Sequence, residues 1–138
     1  MSQNNSTDTV EVKREYYGSG VLRGETPYKN RERNGIAKYY YESGTPRWVI
    51  PYVNDKEHGI VKIYYESGVL CGEAPYVAGK IHGIVRGYYE SGAPRWVIPY
   101  VNDKEHGIEK YYDQDTSNIA HVTLYNNNRE VITLCHEG

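Results

Sequence analysis

Apolar and polar residues alternate along most of this chain, and the alternation restarts at a fixed interval. Arg47 to Val53 and Ile60 to Tyr65 are two such stretches, rich in β-branched and aromatic side chains. Asn54-Asp55-Lys56-Glu57-His58-Gly59 separates them, and Glu66-Ser67-Gly68 follows them, both dense in turn-forming residues. Short runs bounded by such signals predict strands joined in hairpins. No apolar stripe of helical period runs long enough to compete, and frequent glycine disfavours helix further.

The interval is 24 residues. Gly20, Gly44, Gly68 and Gly92 keep it, as do Gly35, Gly59, Gly83 and Gly107, Pro27, Pro51, Pro75 and Pro99, and Tyr28, Tyr52, Tyr76 and Tyr100. Four units follow, 18–41, 42–65, 66–89 and 90–113, each a hairpin stacked on the next. The expected fold is all-β: an elongated, twisted antiparallel meander with terminal caps. Val10 to Tyr16 forms the first cap. Residues 114–138 form the last, as a hairpin of Ile119–Tyr125 and Glu130–Cys135 around Asn126-Asn127-Asn128. Proline cannot donate a ladder hydrogen bond, so a bulge or local break is expected at Pro51 and its equivalents. A second period of 48 residues places Trp48 and Trp96 where the other two units carry Gly24 and Gly72. Each Trp is expected to lie over the equivalent bare glycine of the neighbouring hairpin.

Composition narrows the class. At 138 residues the chain is one domain of 10–138 behind a disordered, polar leader, 1–9, that lacks a secretory signal. Aromatic content is 16 Tyr, 2 Trp and no Phe, which suits half-buried pleated surfaces. A formal charge of −2 gives no basic field for nucleic acid. Lys and Arg scattered among carboxylates do not suit a membrane surface, and no apolar run is long enough to span one. Cys71 and Cys135 match no metal or redox spacing, which favours a reduced, cytoplasmic compartment.

Candidate chemistry points to binding. His58, His82 and His106 repeat two strands apart, about 9–10 Å, too far to share one zinc ion. The pairs Asp55 with Glu57 and Asp103 with Glu105 sit in polar loops without the burial that splits two carboxyl pKa values. No nucleophile elbow or phosphate loop is present, Cys71 merely stands where Arg23, Arg47 and Arg95 stand elsewhere, and no cofactor is implied. Arg47-Trp48 and Arg95-Trp96 are expected contact residues for a protein partner, since exposed Trp beside Arg anchors interfaces. The glycine-covering role competes with this reading. Asp55, Glu57, Asp103 and Glu105 form a row of acidic loops that would attract a basic partner surface.

The motif Tyr-Tyr-Glu-Ser-Gly at 40–44, 64–68 and 88–92, with His-Gly at 58–59, 82–83 and 106–107, resembles the MORN repeat. More closely it is similar to the MORN-variant repeats of the YwqK-like antitoxin family of bacteria. The first unit departs, with Asn34-Gly35 in place of His-Gly. The resemblance covers roughly 16–113 and implies a non-enzymatic antitoxin or immunity protein that blocks a cognate toxin domain. It equally implies a MORN-type scaffold that self-associates or meets membranes.

Overall fold

A computed structural model describes residues 8–135. Residues 1–7 of the expected leader and 136–138 of the expected cap lie outside the described residues. The described residues form one open antiparallel sheet of 15 strands in meander order. The first strands are β1 (Val10–Tyr16), β2 (Leu22–Lys29), β3 (Glu32–Arg33), β4 (Gly35–Tyr40) and β5 (Pro46–Val53). Then come β6 (Lys56–Glu57), β7 (Gly59–Tyr64), β8 (Leu70–Val77), β9 (Lys80–Ile81) and β10 (Gly83–Tyr88). The last are β11 (Pro94–Val101), β12 (Lys104–Glu105), β13 (Gly107–Tyr112), β14 (Ile119–Asn126) and β15 (Arg129–Cys135).

The hairpin turns are tighter than the expected six-residue connections. Asn54 and Asp55 have φ of 49° and 68°, so two residues in left-handed conformation reverse the chain, and Lys56 already pairs with Val53. This is a type I′ turn, which Asn and Asp tolerate and whose twist suits a hairpin. Asn102-Asp103 and Asn127-Asn128 repeat it.

Proline acts on one side of its strand only. Pro51 stays in register with Ile36 of β4. On the hairpin side its carbonyl accepts from His58 N at 2.9 Å, and with no N–H to return, the ladder breaks between β6 and β7. The break expected at proline is therefore real. The bulge falls elsewhere: register shifts between Tyr39 and Tyr40, leaving Arg47 as the extra residue. Arg23, Cys71 and Arg95 are the equivalent bulge residues.

Strand parity divides the side chains between two faces. One face carries Gly35, Ala37 and Tyr39 of β4 opposite Tyr52, Ile50 and Trp48 of β5. The core lies on this face: Thr26, Ala37, Tyr52, Ile98, Glu109 and Thr123 are all buried there. The Tyr28, Tyr52, Tyr76 and Tyr100 file belongs to it, with Lys13 4.5 Å over Tyr28 and Arg33 4.3 Å over Tyr52. The other, open face carries Ile36, Lys38 and Tyr40 opposite Pro51, Val49 and Pro46.

A hydroxyl clasp joins each repeat to the next. Tyr17, Tyr41, Tyr65 and Tyr89 each donate from the phenol to the carbonyl of Tyr40, Tyr64, Tyr88 and Tyr112, all at 2.6 Å. The second tyrosine of the repeated Tyr-Tyr pair thus fastens stacked hairpins, at a net gain of about 1 kcal/mol per bond.

Candidate binding surfaces

The predicted contact residues divide into two places at opposite ends of β5 and β11. At one end the bulge turns Arg47 outward, with its guanidinium 5.4 Å from the Tyr41 ring and 5.1 Å from Trp48. Arg95 lies likewise 5.3 Å from Tyr89 and 4.7 Å from Trp96. Cation–π stacking holds both arginines beside their Trp.

Aromatic covering of glycine occurs, with partners other than those expected. The Trp96 indole lies over Gly87 of the adjacent strand, where an added Cβ would overlap it. Gly24 is covered by Tyr39, whose ring is 2.6 Å from an added Cβ. Trp48 stands edge-on to Tyr39 at 6.1 Å and is exposed. Gly72 meets only the backbone of β10. The correction has a geometric cause: rings lean onto the strand directly paired with them, not onto the equivalent strand one repeat away.

At the other end, Asp55 and Asp103 staple successive turns. Asp55 Oδ1 accepts from Arg33 N at 2.7 Å and from Arg33 Nε at 3.2 Å, and Asp103 Oδ1 accepts from Ile81 N at 2.7 Å. The Arg33 backbone N–H and then its guanidinium hold the Asp55 carboxyl below its ordinary pKa. His58 Nδ1 accepts from Ala78 N at 3.2 Å and His106 Nδ1 from Asn127 N at 3.3 Å, so these histidines tie turn to turn. Glu57 lies beside this row. Glu105 turns inward, accepting from the Tyr100 hydroxyl at 3.2 Å, and its Oε2 is buried without a hydrogen-bond partner among the described residues. Burial, then Glu105, raises the neighbouring Glu109 carboxyl to about 7. Burial, then Glu105, also pushes the Tyr100 phenol up to about 12.

The open face was missed as a site. Ile36, Ile60, Ile84 and Ile108 form a file across it and stay 55%, 52%, 45% and 52% exposed. Beside them runs a cationic file of Lys38, Lys62, Arg86 and Lys110, and beyond that a tyrosine file of Tyr40, Tyr64, Tyr88 and Tyr112. A cleft of about 320 Å³ opens between Tyr40 and Tyr64, floored by Pro46 and Val49 and rimmed by Lys38. The signal was present: these three residues recur 24 apart at one strand parity.

Among known families, the MORN repeat variant matches three tandem stretches, residues 12–30, 33–54 and 57–78. No curated protein matches the chain. Among solved structures, TarM of S. aureus is similar at a TM-score of 0.45 and 13% identity, over 72% of this chain and 20% of that one. A TarM mutant in complex with fondaparinux, α-GlcNAc-glycerol and UDP gives 0.46 and 11%, over 70% and 19%. The chain spans about a fifth of the length of either TarM chain. Residues 12–30, 33–54 and 57–78 of this chain match tandem MORN-variant repeats, and the same strand pattern continues through β13.

Proposed function

We propose that this chain is a non-catalytic, repeat-based scaffold that binds a protein partner. The observation that carries the reading is the open face: a regular file of half-exposed isoleucines on which no layer packs among the described residues. Contiguous exposed apolar surface of this kind marks interaction sites. The Arg47-Trp48 stack, with Trp48 exposed, adds an aromatic anchor at one border of the sheet.

The partner we favour is a toxin domain, with the chain acting in the cytoplasm as an antitoxin or immunity protein that blocks it sterically. The YwqK-like form of the repeat supports this. Co-expression of the tagged chain with the product of the adjacent gene, followed by calorimetry, tests it. Nanomolar association and relief of toxicity are expected. A neighbouring product that is neither toxic nor bound would remove the antitoxin reading.

A second reading, a self-associating scaffold, draws on the sheet edges. Every residue of β1 is exposed, and among the described residues β1 and β15 each pair on one side only. Sedimentation equilibrium separates the readings: the antitoxin reading expects a monomer at micromolar concentration, the scaffold reading a larger species.

A further inference from the structure

We infer that the open face is a docking track for a polyproline-II segment, with one proline against each tyrosine of the file and acidic residues beside the cationic file. The inference deepens the protein-binding reading and rests on it. It concerns the chemistry of the partner segment.

The first support is the cleft. Tyr40 and Tyr64 wall it, and Pro46 and Val49 form an apolar floor. Grooves between aromatic rings are how polyproline-II segments are commonly held, because the helix is preformed and loses little entropy on docking. The register repeats the arrangement in alternate units: Tyr88 pairs with Pro94 as Tyr40 does with Pro46, and Val97 stands where Val49 stands, whereas Leu70 and Glu73 take these places between Tyr64 and Tyr88.

The second support is spacing. Tyr40, Tyr64, Tyr88 and Tyr112 lie on β4, β7, β10 and β13, each two strands from the next in sheet order. Two strand spacings are about 9.5 Å. One turn of polyproline II, three residues at ~3.1 Å each, advances about 9.3 Å. A segment crossing the strands would therefore keep step with the tyrosines to within about 1 Å over all four. An α-helix advances about 5.4 Å per turn, and a β-strand presents the same side about every 6.7 Å. Neither keeps step.

The third support is charge. The file beside the clefts holds Arg14, Lys38, Lys62, Arg86 and Lys110 against only Glu25 and Glu73, in a chain whose net charge is −2. Arg14 pairs with Glu25 at 3.6 Å, and none of the other four cations forms a close ion pair among the described residues. Acidic residues flanking the prolines would complement them.

Fluorescence anisotropy with labelled synthetic peptides of Pro-Glu-Ala triplets tests the inference. Affinity is expected to rise with triplet number until the four tyrosines are covered, and then to level off. A peptide of the same composition with its prolines out of the three-residue period is expected to bind about tenfold weaker. Tyr64→Leu is expected to weaken binding by about tenfold. Lys38→Gln, a change at an exposed position of the same file, is expected to weaken it severalfold with circular dichroism unaltered. Equal binding of the out-of-period peptide would overturn the inference, as would pelleting by phosphatidylserine vesicles without peptide binding. A chain that captures its protein partner but ignores the triplets overturns this inference alone. A chain that captures neither overturns the binding reading beneath it.

Discussion

Glu109 is the charged residue in a file otherwise made of Ala37, Val61 and Val85, and it is 5% exposed. Replacing it with the valine used at 61 and 85 should change how stability depends on pH. Burial, then Glu105, lifts its carboxyl from 4.5 to about 7. The folded state therefore holds this proton more tightly than the unfolded chain does. Its stabilising contribution is complete below about pH 4.5 and is lost as pH rises through about 7. At about 1.4 kcal/mol per pH unit the loss has a ceiling near 3 kcal/mol, and sharing of the proton with Glu105 lowers it to roughly 1–3 kcal/mol. Urea unfolding from pH 5 to 8.5 measures it through the midpoint at constant m. Other carboxylates contribute slopes of their own, so the difference between Glu109→Val and the parent is the informative quantity. That difference should grow in favour of the variant by roughly 1–3 kcal/mol between pH 5 and 8. Parallel curves would refute the argument, whatever the offset between them.

Three further substitutions test the packing. Tyr65→Phe removes the clasp to the Tyr88 carbonyl and should lower stability by about 1–2 kcal/mol in urea, with far-UV dichroism unchanged. Gly87→Ala forces the Trp96 indole off its strand, so Trp emission should shift to the red and stability fall by about 1–3 kcal/mol. Asp103→Ala leaves the Ile81 amide without its acceptor, and hydrogen exchange at that amide should quicken while amides in the middle of β11 stay protected.

The repeat made much of the architecture legible. Equal spacing of Gly35, Gly59, Gly83 and Gly107 places one return strand per unit, and β4, β7, β10 and β13 each begin at those residues. Val10–Tyr16 was read to the residue. The missing N–H of Pro51 foretold a broken ladder, although proline alone could not say which neighbour would lose its pairing. The bulge at Arg47 carried no sequence signal of its own, because Arg, Cys and Arg all serve there. The equivalent bulge at Arg95 adjoins the Gly87–Trp96 pair, so the covered glycine could not be named from the repeat alone. The open face stayed hidden for a different reason. Both strand parities carry apolar residues, Ala37 and Tyr39 on one and Ile36 and Tyr40 on the other. Alternation separates such faces without saying which is buried. Asp55 and Asp103 read as free loop acids because the turns they staple lie 22 residues back in the chain.

Distances between spin labels at residues 36, 60, 84 and 108, in a background with Cys71→Ser and Cys135→Ser, test most directly whether the modules stack in one layer with these positions outward. The labels sit two strands apart in sheet order, so separations from residue 36 should increase by about 9–10 Å per repeat, to about 28 Å at residue 108, with all four labels mobile. Separations that fail to grow with repeat number, or labels immobilised at every position in the free chain, would contradict it.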